Sequence, residues 1–237
     1  MIKILILGST GLIGHQVFSY LNNFSEYQLF NLSRSKLNSE TLLIDVRNEK
    51  KLVRLIEKLR PKIIINCIGM LIDESNKDPE NASYLNAFLP HRLLSLSDEI
   101  NAKLIHMSTD CVFSGSKKTP YVETDLKDGQ DFYAKSKGLG EIINNRHLTI
   151  RTSVVGPELK SNGTELFQWF MAQSNSISGY KKSIWSGVTS LELAKAVKWA
   201  IDRDINGLYH LTNNHLINKN DLLKLFKKYT NKNIKIN

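Results

Sequence analysis

Tyr133 and Lys137 stand four residues apart. On a helix that spacing puts a phenol and an ammonium on one face. A nearby ammonium favours phenolate and lowers a tyrosine pKa from its ordinary value of about 10. A phenol so tuned donates a proton to a carbonyl, or takes one from an alcohol, near neutral pH. Taken alone, such a pair is common by chance, and an exposed helical pair without chemistry is the bland alternative. A second group, Ser108-Thr109-Asp110, follows the apolar run from Lys103 to Met107. A Thr109 hydroxyl beside a reacting oxygen would stabilise its developing charge. Asp110 is read as a structural group at the strand end.

The third feature is GSTGLIG, Gly8 to Gly14, with glycines at three-residue spacing: Gly8, Gly11 and Gly14. Glycines permit a tight turn, let a backbone approach a pyrophosphate, and let helix and strand pack closely. Thr10, Leu12 and Ile13 complete the turn, and the helix that follows offers free N–H groups and a positive dipole end to phosphates. The spacing differs from GxGxxG. No Gly-Lys-Ser/Thr follows, which disfavours a P-loop. Ser33 and Arg34 come at the end of the second apolar run. An arginine there accommodates a 2′-phosphate where an acidic residue would bind a 2′-hydroxyl, so NADPH is expected, with NADH the alternative. Asp45 and Val46 stand where a short polar–apolar pair would hold the adenine.

These groups need a scaffold that brings them to one edge. Ile2 to Leu7, Tyr27 to Leu32, Leu42 to Val46, Ile63 to Ile68, Lys103 to Met107 and Leu148 to Thr152 are short apolar runs expected to form strands. Helical spacing lies between them: Leu12 to Asn22, Lys50 to Leu59 ending at Pro61, Pro79 to Ile100 with a kink or break at Pro90, and Phe132 to Asn144. Strand and helix in steady alternation predict a Rossmann-type α/β fold, a doubly wound parallel sheet with helices on both faces. Ligands bind beyond the carboxyl ends of such strands. A cofactor-binding part is expected over 1–153. A reduced, substrate-facing part is expected over 154–237, with segments returning to the main sheet: helices over Thr164 to Ala172, Ser190 to Ile201 and Lys219 to Tyr229, and a strand over Leu208 to Leu211.

The 237 residues carry 41% apolar and 23% charged side chains, which suits a globular chain. No apolar run spans a bilayer, and Met1 to Leu7 runs straight into glycines, so it is read as a strand and not a signal peptide. Two cysteines, Cys67 and Cys111, suit a reduced, cytoplasmic compartment. The six histidines are scattered without a ligand pair, so no metal is expected. No Gly-x-Ser-x-Gly elbow supports serine hydrolysis. The net charge of +9 has three readings: nucleic acid, an anionic small molecule, or composition alone. No nucleic-acid motif supports the first.

GSTGLIG, NCIG (Asn66 to Gly69), STDCVF (Ser108 to Phe113), YAKSKGLGE (Tyr133 to Glu141) and RTSVVG (Arg151 to Gly156) occur in one order. Together they resemble the extended short-chain dehydrogenase/reductases, and the STDCVF run looks most like the dTDP-4-dehydrorhamnose reductase family. The resemblance implies a Thr109–Tyr133–Lys137 triad. It implies Cys67, Ile68 and Gly69 along the cofactor, Lys137 on the nicotinamide ribose, and Tyr133 protonating the 4-oxygen of a nucleotide-linked 6-deoxysugar. It places the protein in cell-surface polysaccharide precursor synthesis, with no membrane or nucleic-acid partner and a homodimer left open. Two departures stand out. Val154 occupies a position where those reductases often carry tryptophan, and the chain is short; Trp185 is a candidate for the missing aromatic wall, with simple core packing the slightly favoured reading. The alternatives are a non-catalytic NADP-binding regulatory subunit and a nucleotide-sugar epimerase or dehydratase on the same scaffold.

Overall fold

The computed structural model describes residues 1–160 and 163–237. In chain order the elements are β1 (Ile2–Leu7), α1 (Leu12–Leu21), β2 (Tyr27–Ser33), β3 (Leu42–Leu43), α2 (Glu49–Leu59), β4 (Ile63–Asn66), α3 (Ile72–Lys77) and α4 (Pro79–Ala82). A π-helical turn (Ser83–Phe88), α5 (Leu89–Glu99), β5 (Lys103–Thr109), α6 (Phe132–Leu139) and β6 (Leu148–Thr152) follow. Then come β7 (Val154–Val155), α7 (Leu166–Ala172), β8 (Ser176–Ile177), β9 (Ile184–Trp185), β10 (Val188–Thr189) and α8 (Ser190–Asp202). The last are β11 (Gly207–His210), β12 (Ile217–Asn218), α9 (Lys219–Thr230) and β13 (Lys235–Ile236).

One sheet of seven strands organises the chain, in the order β11-β6-β5-β4-β1-β2-β3. Every ladder in it is parallel. Alternate side chains of β1 therefore enter different layers. Ile4 and Ile6 pack with Val17 and Leu21 of α1 and Leu193 and Val197 of α8. Leu5 and Leu7 pack with Leu52 and Ile56 of α2 and Leu89, Leu93 and Leu96 of α5. The central strands β1, β4, β5 and β6 are buried on both faces over most of their length, which explains their continuous apolar sequences. A separate small core, Phe170, Ile177, Leu223 and Ile234, joins α7, β8, α9 and the segment before β13.

The structure corrects several expected boundaries. The third strand stops at Leu43, so Asp45 and Val46 enter a turn in which Asn48 N–H bonds Asp45 O (2.9 Å). β5 runs two residues further than expected, so Ser108 and Thr109 lie within the strand. The helix expected from Pro79 to Ile100 is three segments, and its widened turn precedes Pro90. Pro90 has no N–H to bond the carbonyl of Asn86, four residues earlier, and its ring crowds that oxygen. The freed carbonyl meets Gly140 so closely that a Cβ there would lie 1.9 Å from Asn86 O. The same contact accounts for α6 ending at Leu139 and not at Asn144: Gly140 N–H closes the last turn on Ser136 O and Lys137 O.

Gly140→Ala should therefore destabilise the protein by about 1–3 kcal/mol in urea unfolding, because a backbone oxygen must move to admit the methyl. A midpoint equal to wild type would show that the close approach is relaxed without cost.

Candidate active site

The chain turns back at the junction of β1 and β4: β2 and β3 lie to one side of β1, and β4, β5, β6 and β11 to the other. The crevice beyond the carboxyl ends of neighbouring strands opens there. Gly8 leaves β1 with φ +78°, in the left-handed region open to glycine. A Cβ on Gly8 would lie 3.0 Å from Ile68 Cγ1 and 3.1 Å from the Cys67 backbone, so the β1 and β4 exits touch. A Cβ on Gly14 would lie 2.2 Å from Gly8 O, so this glycine lets α1 pack onto the turn. Gly11 is the N-cap of α1 and offers no side chain to the first-turn N–H groups. This backbone cradle, free of β-carbons, with a helix N-terminus above it, fits a dinucleotide pyrophosphate.

Thr10 Oγ1 lies 3.3 Å from Ser35 Oγ, which draws the loop after β2 over the turn. Ser33 is buried, and its hydroxyl donates to Ser35 O. Arg34 is exposed and close enough to Asp45 for its charge to help lower that carboxyl. The dominant cause of that lowering is Arg47, whose Nε lies 3.0 Å from one Asp45 oxygen and whose Nη2 lies 2.5 Å from the other. Val46 is buried in the core beneath α2, and its carbonyl accepts from Tyr84 Oη at 3.2 Å. Asp45 is engaged by Arg47, and the Val46 side chain faces the core.

On the other flank, α6 begins at Phe132, capped by Asp131, whose carboxylate accepts from Ala134 N–H at 2.7 Å. Lys137, one turn after Tyr133, is buried (4% exposed), and its Nζ donates to Met107 O at 2.6 Å. Gly69 faces that ammonium, since a Cβ on it would lie 3.6 Å from Nζ. Burial pushes Lys137 down to about 8, with the Glu141 and Cys67 charges opposing the fall. Tyr133 is half-buried, and its desolvation raises the phenol well above its ordinary value, against a hydrogen bond with Thr109 that lowers it. The expected lowering by Lys137 is therefore not found: burial dominates the phenol, and the ammonium is directed to Met107. At neutral pH the phenol is protonated, which is the form a proton donor needs. Thr109 Oγ1 also accepts Cys111 N–H at 3.1 Å, which turns the chain sharply after β5. Asp110 reaches solvent yet is hemmed in by protein, and desolvation pushes its carboxyl up.

The fold brings together Gly8 with Cys67 and Ile68, Gly69 with Lys137, and Thr109 with Tyr133. Other partners were missed from sequence. Asn86 is fully buried in the π-helical turn. Its Oδ1 accepts Met70 N–H at 2.8 Å, and its Nδ2 donates to Ser136 Oγ at 3.1 Å, so it ties the loop after Gly69 to α6 beside Lys137. The clue was Pro90, four residues later. Glu141 and Arg151 form a buried ion pair of 2.6 Å. The clue there was an arginine inside an apolar core strand, which demands a buried partner. Val154 packs against the core and pairs with Val188, while Trp185 is half-buried on β9 with Gly187 against its ring. Among the described residues, no three His, Cys, Asp or Glu side chains converge as metal ligands. None of these residues forms a helix long and apolar enough to cross a membrane.

A parallel sheet with a glycine cradle at its reversal and a Tyr–Lys helix across the crevice is the arrangement of the extended short-chain dehydrogenase/reductases. The chain belongs to the RmlD substrate binding domain family, whose model matches residues 2–235. It is similar to the dTDP-4-dehydrorhamnose reductase of Salmonella typhimurium, at 29% identity over 220 residues covering 88% of this chain and 72% of that protein. It also resembles the spore coat polysaccharide biosynthesis protein SpsK of Bacillus subtilis, at 26% identity, covering 90% and 74% of the two chains. Among solved structures, the dTDP-4-dehydrorhamnose reductase of Bacillus anthracis in complex with NADP superposes with a TM-score of 0.85 at 24% identity, covering 100% of this chain and 84% of that one.

Both cysteines flank the crevice, and burial pushes Cys67 up to about 12 and Cys111 up to about 11. A raised pKa leaves less thiolate at any given pH. Alkylation of the native protein at pH 8 should therefore be on the order of 100-fold slower than for an unfolded control, and should accelerate as pH rises towards 11. Rapid native labelling at pH 8 would show that these thiols are not desolvated.

Proposed function

We propose that this protein is an NADPH-dependent reductase of the 4-keto group of a nucleotide-linked 6-deoxysugar. It would act in the cytoplasm in the synthesis of polysaccharide precursors, with NADH as the lesser cofactor. The observation that carries this reading is the convergence of a protonated Tyr133, the Thr109 hydroxyl and the buried Lys137 on the crevice edge that holds the glycine cradle, in a chain of this family. The names of the similar proteins, two of them dTDP-4-dehydrorhamnose reductases and one a polysaccharide biosynthesis protein, point the same way.

In this reading Gly8, Thr10, Gly11, Leu12, Ile13 and Gly14 hold the pyrophosphate, and Arg34 beside Ser33 takes the 2′-phosphate. Cys67, Ile68 and Gly69 line the cofactor on the β4 side. The nicotinamide, when bound, supplies hydride. Lys137 would hold the nicotinamide ribose. Thr109 bonds the substrate carbonyl oxygen, and Tyr133 gives that oxygen its proton as charge develops on it. Residues 1–153 form the cofactor-binding part. Residues 154–237 supply the sugar-facing side, with β11 and α8 returning to the main sheet and Trp185 available as an aromatic wall.

Loss of reduced-nicotinamide absorbance, measured with purified protein and dTDP-4-keto-6-deoxy sugars, tests the activity directly. Wild type should oxidise NADPH, and Tyr133→Phe should bind NADPH normally while losing roughly 100-fold or more in kcat. Tight NADPH binding without oxidation would instead leave a different keto substrate or a cofactor-binding subunit, and undiminished turnover by Tyr133→Phe would remove the phenol from the chemistry. Separately, Arg34→Ala should weaken NADPH more than NADH in binding titrations. Equal losses would place the 2′-phosphate elsewhere.

A further inference from the structure

Glu141 lies two residues beyond α6, with a side chain wholly out of solvent. Its Oε1 accepts from Ser108 Oγ at 2.8 Å and from Arg151 Nε at 2.6 Å. Its Oε2 accepts from Arg151 Nη2 at 2.8 Å and faces Lys127 Nζ at 3.2 Å. Ser108 immediately precedes Thr109 in β5, and Lys137 is one helical turn before Glu141. Arg151 is anchored in turn: its Nη1 donates to Glu123 O at 3.1 Å and lies 3.2 Å from His210 Nε2, and its guanidinium sits 5.1 Å from the centre of the Phe113 ring. One carboxylate thus joins the strand that ends in Thr109 to the helix that carries Tyr133 and Lys137, and braces both against β6.

We infer that Glu141 is a positioning residue: it sets the separation between Thr109 and the Tyr133–Lys137 face. This rests on the proposed roles of those three residues. Burial raises the Glu141 carboxyl, but the bonds from Arg151 and Ser108 outweigh that and hold it below the usual range. Around it Arg151 and Lys127 are cations, and without the carboxylate they would repel one another.

The test uses the full chain. Glu141→Gln keeps the shape and an acceptor for Ser108 but removes the charge; Ser108→Ala removes the strand–helix bond but keeps the ion pair. Thr109 placement is read by NMR of its methyl group, assigned with Thr109→Ser. Both variants should move that resonance and lower kcat by about 3–10-fold through misplaced Thr109, with the NADPH Kd unchanged. A role confined to stability would lower the unfolding midpoint and leave the resonance and kcat in place. A folded Glu141→Gln with an unmoved resonance and undiminished kcat overturns the inference. Where Glu141→Gln fails to fold, Ser108→Ala decides: an unmoved resonance and undiminished kcat overturn it. Where wild type itself leaves NADPH unoxidised with these sugars, the methyl resonance still decides the role of Glu141.

Discussion

Parallel pairing throughout the sheet is the constraint from which the site follows. Parallel strands cannot be joined by tight turns, so each connection must leave one edge and return to the other through a crossover. All seven carboxyl ends therefore share one edge. Where the chain reverses beside β1, the connections of β1 and β4 diverge to opposite faces and leave a crevice. Gly8 and Cys67 to Gly69 form its walls because they are the first residues past those two strands. No side chain has to be steered there, because the topology delivers the backbone.

The crevice also sets the electrostatics. A buried ammonium is costly unless it is hydrogen-bonded and balanced by charge. Lys137 meets the first condition through Met107 O, and its burial lowers it to about 8. Its ammonium is thereby fixed between β5 and the Gly69 loop. The phenol of Tyr133 is likewise desolvated and stays protonated. Burial thus gives two neighbouring groups of one helix opposite shifts: the ammonium becomes more acidic and the phenol less so. A proton donor beside a readily exchanged ammonium suits the delivery of one proton to a reduced carbonyl.

Close backbone approaches hold this edge together. Gly14 against Gly8 O and Gly140 against Asn86 O each occupy a place that a β-carbon would fill. The second depends on Pro90, which frees the Asn86 carbonyl, while the Asn86 side chain ties the Gly69 loop to Ser136. A helix defect near the crevice thus orders a loop of the candidate site.

The sequence by itself determined the architecture and pointed to the candidate site residues. Apolar runs of strand length, glycines after the first of them, and Tyr133 four residues before Lys137 are local patterns, and a local pattern survives in a linear reading. Tertiary structure decided what depends on several segments at once. It drew Asp45 to Arg47 and turned Val46 into the core. It raised Tyr133 where the sequence implied a lowered phenol, because desolvation depends on the packing of distant strands and not on the neighbour at four residues. It also assembled Ser108, Glu141 and Arg151, which come from β5, the end of α6 and β6. Each is unremarkable in its own segment, and only the parallel sheet brings them within hydrogen-bonding distance.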